Sequence, residues 1–180
     1  SRRNDDVHSL LEIAVANDAD IELRRLTLMN HGDRSRSLSI TSYAEMVVGP
    51  ATADNAHPAY SKMFVQTEWD AASGLLLATR RRRSNSEPEI WAAQTLQVLG
   101  KPVDSTLEYE TDRARFLGRG RPLRPALTMQ PPCGFSNSRV FVLDPVFSLR
   151  PPLTLGPGHA VTPPLRHQPL DSPAPPLPPS

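Results

Sequence analysis

Between Ser37 and Val48 the chain reads SLSITSYAEMVV, with its apolar residues on every second position. Leu38, Ile40, Ala44, Met46 and Val48 fall on one face, while Ser39, Thr41, Tyr43 and Glu45 fall on the other. An extended strand puts alternate side chains on one side, and a helix cannot. The period of two therefore fixes a half-buried strand here and constrains everything packed against it. The same signal recurs at KMFVQTEW (62–69), GLLLATR (74–80), EIWAAQTLQVL (89–99), STLEYET (105–111) and SRVFVLD (138–144). DAASG, SNSEP and GKPVD supply turn chemistry between them.

Upstream, DIELRRLTLMNHGD places Ile21 and Leu23 in one phase and Leu26 and Leu28 in the other. That slip predicts a bulge at Arg24-Arg25. NHGD then predicts the turn of a hairpin over 20–48. VHSLLEIAVAND fits a helical face through Leu10, Leu11, Ala14 and Val15, but its length and surroundings favour a strand. About eight short antiparallel strands with no convincing helix predict an all-β fold, an antiparallel β-sandwich over residues 1–160. Leu38, Ile40, Met46 and Val48 are its expected core residues. The text changes after that point. Of the 20 prolines, 12 lie between Pro145 and Pro179, and residues 161–180 read as a proline-rich tail. Such text lacks backbone donors, so from 163 onward it is expected to be extended or disordered and to pack on nothing.

Composition removes several function classes. A net charge of +1 gives no global field for nucleic acid or anionic lipid. The single cysteine, Cys133, excludes an internal disulfide and a cysteine-based zinc site, and reads as a loop thiol. No run approaches the roughly 18 apolar residues of a membrane span, and the N-terminus has no signal-peptide pattern. It also opens in mid-pattern without methionine, as a piece of a longer protein would. No Gly-rich loop opens a helix and no Gly-x-Ser-x-Gly occurs. His8, His31, His57, His159 and His167 are scattered, without metal-ligand spacing.

Four features carry a choice of reading. RRRR at 80–83 is either a nucleic-acid patch or the solvated end of a strand. Alternate arginines on a strand face opposite ways, which favours the second. Trp69 and Trp91 are sugar platforms or core residues, and their apolar neighbours favour core. PAPPLPP fits an aromatic groove, but low-complexity filler is the favoured reading. YETDRARFLGRGR at 109–121 is the fourth: Arg113, Arg115, Arg119 and Arg121 surround one apolar pair, Phe116-Leu117. Their planar donor forks suit sugar hydroxyls, carboxylates or phosphate. The structural alternative pairs them with Glu108, Glu110 and Asp112 on the adjoining strand.

Taken together, LTLMNHGDRSRSLSITSYAEMVV, AHPAYSKMFVQTEW, LLLATRRRRSNSEPEIWAAQTL, LEYETDRARFLGRGRPLRPA and LDPVFSLRPPLTLGPG resemble the β-supersandwich domain of glycoside hydrolase family 94, across residues 7–158. Within that family they are most similar to the phosphorylase-like region of the cyclic β-1,2-glucan synthase branch. The resemblance implies a sandwich preceding a helical linker and an (α/α)6 catalytic barrel. It implies a cytoplasmic location at the inner membrane, without direct membrane insertion by this domain. It also implies β-glucan and the barrel as partners within the whole enzyme, no nucleic acid, and no cofactor or metal. Catalytic residues would lie on the barrel, so none is assigned here. Arg113, Arg115, Arg119 and Arg121 are the candidate substrate-binding set. After LTLGPGHA the family pattern would continue as a strand, whereas this chain turns to proline-rich text, as an altered reading frame or truncated gene would give. A stand-alone carbohydrate-binding module and an interaction protein acting through its tail remain as alternatives.

Overall fold

The computed structural model describes residues 1–82, 84–98, 107–118, 120, 126–129, 134–137 and 142–170, with 164–170 as backbone only, and among these residues thirteen strands, three short α-helices and one 3-10 turn (Leu127–Met129) form. In chain order the strands are β1 (Arg2–Asn4), β2 (Val7–Val15), β3 (Glu22–Asn30), β4 (Arg36–Ser39), β5 (Ala44–Glu45), β6 (Val65–Asp70), β7 (Leu75–Arg80), β8 (Trp91–Leu96), β9 (Glu108–Asp112), β10 (Pro145–Arg150), β11 (Pro152–Leu155), β12 (Ala160–Val161) and β13 (Pro164–Leu170). All the described pairings are antiparallel. An eight-stranded sheet runs β1-β2-β3-β13-β8-β7-β6, with β12 also on β3. A three-stranded sheet, β5-β10-β9, and a two-stranded sheet, β11-β4, form the opposing layer.

Alternation builds the interface between the layers. Leu76 and Ala78 of β7 point inward and are fully buried in one cluster with Phe147 and Leu149 of β10, which also takes in Met46, Val48 and Tyr109. Each such large side chain contributes roughly 1.5–3 kcal/mol by leaving water. Trp69 stacks on Tyr109 at 4.8 Å within this core, the expected packing role. A second cluster joins Leu28 of β3 to Leu153 and Leu155 of β11, with Leu38 and Ile40 partly buried against it.

Several expectations are corrected. Residues 37–48 are not one strand. They split at Ser42, whose side chain is locked between the layers: its Oγ accepts from Gln94 Nε2 at 2.8 Å and from the Leu149 amide at 2.9 Å. One half then pairs with β11 and the other with β10. The predicted 20–48 hairpin does not form either, because β3 pairs with β2. Asn30 explains the exit. Fully buried, it accepts from the Gly32 amide and donates to the carbonyls of Arg34, Leu155 and Gly156, which carries the chain across to the other layer. No bulge interrupts β3, since its register with β2 is continuous from Val7↔Asn30 to Val15↔Glu22. The phase change reflects two apolar faces: Leu26 and Leu28 serve the core, while Leu23 lies opposite Ala14 on the outer side.

The helices are also new. α1 (Ala51–Ala56) and α2 (Pro58–Lys62) follow Pro50 and begin with Pro58, where a fixed φ favours a helix start. α3 (Arg113–Leu117) replaces the expected arginine loop. Val142–Asp144 is not strand; pairing starts at Pro145, where a missing N–H is tolerated at a strand's first residue. Residues 164–170 are extended as expected, but they lie in the sheet between β3 and β8 instead of standing clear of it. Residues 171–180 and Cys133 lie outside the described residues.

Candidate functional site

The arginine stretch is built on the end of β9. Asp112 caps α3, its Oδ1 accepting from the amides of Ala114 at 2.8 Å and Arg115 at 3.4 Å. This satisfies helix-terminal donors that otherwise lack partners. Gly118 ends the helix at φ 80°, a conformation that favours glycine, and its N–H bonds the Ala114 carbonyl. Between these ends Phe116 and Leu117 are buried with Ala126, Phe135 and Tyr43. The apolar pair thus anchors the helix.

Arg113 is bound inward. Its Nε donates to Glu45 Oε1 at 2.9 Å and its Nη1 to Asp144 Oδ2 at 3.4 Å. Lys62 Nζ donates to Asp144 Oδ1 at 2.9 Å and lies 3.7 Å from Glu45 Oε2. Tyr43 Oη donates to Glu45 Oε1 at 2.9 Å. The hydrogen bond from Arg113 holds the Glu45 carboxyl below its usual range despite burial, and raises Arg113 in turn. Burial, reinforced by Glu45, pushes the Tyr43 phenol up to about 12. A carboxylate kept ionised in this way accepts hydrogen bonds and is a poor proton donor.

Arg115 differs. Its side chain is 58% exposed and touches Asp112 at 3.6 Å, leaving most of its donor fork toward solvent. Arg119 and Arg121 lie outside the described residues. The remaining strand acids have other partners than the arginines expected for them. Glu108 takes Arg150, at 2.6 Å, while that guanidinium also covers the Phe135 ring. Glu110 is 1% exposed, and its two oxygens accept from the amides of Thr111, Asp112 and Ser136 and from Ser136 Oγ. Among the described residues no group of three His, Cys, Asp or Glu is placed to hold a metal.

The comparisons with known proteins fit this architecture. The family model for the glycosyl hydrolase 94 supersandwich domain matches residues 1–162. The chain belongs to that family. A curated relative, the cyclic beta-(1,2)-glucan synthase NdvB of Rhizobium meliloti (strain 1021), is 39% identical over 145 residues, covering 81% of this chain. The chain spans only 5% of that relative's length. Among solved structures a polysaccharide lyase superposes with a TM-score of 0.50 over 94% of this chain and 21% of its own, at 14% identity, a likeness of fold alone. No helix among the described residues of this supersandwich domain is long and apolar enough to cross a membrane.

Sequence reading singles out Arg113 but not the partners that fix it. Tyr43 and Glu45 are visible as i, i+2 neighbours on the polar face of one strand. Lys62 and Asp144 carry no local signal, because the fold brings them together from 82 positions apart.

Proposed function

We propose that this supersandwich domain is a non-catalytic part of a cyclic β-1,2-glucan synthase or related glycoside phosphorylase, and that it packs on the helical catalytic barrel of that enzyme. Within the whole protein it would act on the cytoplasmic side of the inner membrane, with β-glucan reaching it only through the shared cleft. The observation that carries this reading is the state of the acids around α3. Glu45, Glu108, Glu110, Asp112 and Asp144 are each committed to a cation or to backbone amides. Glycosyl transfer by acid catalysis needs a carboxyl pair on either side of the sugar bond, one of them able to give up a proton. The 39% identity to a glucan synthase supports the carbohydrate context.

Arg115, Arg119 and Arg121 are the proposed sugar contacts, and Arg113 is the brace that holds α3, the helix carrying Arg115. In a full-length relative, replacing the counterpart of Arg115 with alanine is expected to raise KM for the glucan acceptor several-fold with little loss of stability. Replacing the counterpart of Arg113 should instead lower stability first. Unchanged kinetics in an Arg115 variant of intact fold would remove the cleft role. Turnover by the 180-residue chain alone would remove the non-catalytic assignment. The stand-alone binding module is less favoured because Trp69 stacks inside the core.

A further inference from the structure

β2 is covered along only part of its free edge. β1 pairs with it at Ser9, His8 and Val7, while β3 lines its other side over the whole length. Among the described residues nothing pairs with the β1 side of Leu10–Val15. The hairpin end fixes which main-chain groups point there. The Ala16 amide bonds the Ile21 carbonyl at 2.9 Å, so the even-numbered residues of β2 turn their N–H and C=O toward β3. Leu11, Ile13 and Val15 turn theirs toward the open edge.

The side chains on this edge are apolar. Exposure rises from 38% at Leu10 through Leu11 and Ile13 to 67% at Val15. Leu11 lies opposite Leu26, and directly opposite residues share a face, so Leu11, Ile13 and Val15 stand on the core side of the sheet. Val7 on that same face packs in the cluster of Leu28, Leu153 and Leu155, whereas the three beyond it are uncovered. Natural edge strands are blunted by charges, prolines or bulges. Between Leu10 and Val15 the one charge is Glu12, and it sits opposite Arg25 of β3, 4.0 Å from its Nη1.

A second copy of β2 fits the gap. A two-fold axis normal to the sheet pairs the strand antiparallel with its copy and sets one residue opposite itself. Centred on Glu12, the pairing would oppose two carboxylates and push the partner's Val15 onto Ser9, where Arg2 already pairs. Centred on Leu11, it would run further into β1. Centred on Ile13, it uses the whole open run: Ile13 faces the partner's Ile13, Leu11 faces the partner's Val15, and Glu12 faces the partner's Ala14. The three odd-numbered pairs then exchange N–H···O=C bonds in both directions. Charge also matches. β1 and the partner's strand lie end to end along one edge, so the turn after Val15, with exposed Asp18 and Asp20, meets exposed Arg2 of the other copy.

We propose that the open edge Leu10–Val15 of β2 is a self-association surface, where two copies of this chain join into one continuous antiparallel sheet about an axis between their Ile13 residues. Each copy consumes the other's open run, so the assembly closes as a dimer. This edge is separate from the α3 network, and its pairing does not depend on the function proposed above.

The test is sedimentation velocity of the 180-residue chain over a concentration series, with amide hydrogen exchange at its two ends. A monomer–dimer equilibrium is expected, in which the amides of Leu11, Ile13 and Val15 slow as dimer accumulates. Ile13→Lys sets two ammonium groups opposite each other at the axis and should weaken association by about tenfold or more. Ile13→Pro removes an N–H that faces the open edge and leaves the β2–β3 bonds in place, and should weaken it likewise. Arg2→Glu should also weaken it, and adding Asp18→Arg should restore it. Val47→Lys, at an exposed apolar residue two positions beyond β5, should change nothing. Circular dichroism establishes that the variants are folded. A monomer at every concentration would overturn the surface; slow exchange of the three amides in that monomer would assign the edge to a cover from the chain itself. A dimer untouched by both Ile13 substitutions would overturn it as well.

Discussion

Glu110 offers the sharpest test of whether the acids of β9 are structural. Its Oε1 accepts from the amides of Thr111 and Asp112, both at 3.0 Å, and Thr111 is 1% exposed. Its Oε2 takes the amide and hydroxyl of Ser136 at 3.2 and 2.7 Å. Glu110→Ala strands the two strand amides away from water, at about 1–3 kcal/mol each. Ser136 sits at the surface and rehydrates, so its share is small. Relief from burying a charge takes back part of the cost, leaving about 3 kcal/mol, a large share of the 5–15 kcal/mol typical of a domain. Glu110→Gln keeps one oxygen for the amide pair and turns its NH2 toward Ser136, whose hydroxyl can rotate to accept. It should cost only about 1 kcal/mol. Urea unfolding followed by circular dichroism reads both. The ordering, alanine well above glutamine, marks an acceptor of backbone hydrogen bonds. If alanine costs under 0.5 kcal/mol, or glutamine costs as much as alanine, the account of this residue is wrong.

Four further outcomes are expected. The depressed Glu45 carboxyl means that the unfolded chain takes up its proton first as pH falls, so this stabilisation is present above the ordinary carboxylate range and is lost on acidification; Arg113→Ala should flatten that acid limb of a stability–pH curve. Tyr43, moved from 10.0 to about 12, contributes stability that is intact below pH 10 and lost as pH rises through 12, and Tyr43→Phe should remove that alkaline loss. Asn30→Ala leaves the Gly32 amide and the carbonyls of Arg34, Leu155 and Gly156 to find other partners, and should cost about 3 kcal/mol in the same urea assay. Ending the chain after Pro163 removes the strand between β3 and β8, and a thermal midpoint about 5 °C lower is expected, where a midpoint unchanged would return this segment to the status of a free tail.

The strands were legible because a period of two is a local signal. Leu76 and Ala78, or Met46 and Val48, announce a buried face without reference to anything else in the chain. What the sequence hid was which strand pairs with which. SLSITSYAEMVV has one unbroken alternation, yet Ser42 divides it between two sheets through bonds to Gln94 and Leu149, partners 52 and 107 positions away. NHGD has the composition of a hairpin turn, but Asn30 spends its amide on residues 155 and 156. The tail was misjudged for a related reason. Proline weighs against a strand because it withholds a donor, and Pro164 stands at the first position of β13, where that loss is least damaging.

The same distinction separates Arg113 from Arg115 on α3. A guanidinium facing Glu45 and Asp144 across two other elements is read by the fold, because those acids are fixed by β5 and by the lead-in to β10. Its side chain is 39% exposed, so solvent screens each of its pairs toward the about 0–1 kcal/mol of an exposed one, and what sets it apart is that several groups share its acids. Tyr43, Lys62 and Arg113 converge on the same two carboxylates, so removing any one of them shifts the electrostatics of the others. Arg115 has only its own helix cap for company and keeps its fork in water. A substitution at Arg113 therefore disturbs the seat of α3 before it can disturb anything α3 presents. One at Arg115 leaves the seat alone. Stability and glucan affinity should then respond to different residues of one short helix. A double Arg113→Ala, Arg115→Ala variant of a full-length relative should add the two effects nearly independently, because Arg113 pairs with Glu45 and Asp144 and Arg115 with Asp112, with no partner in common.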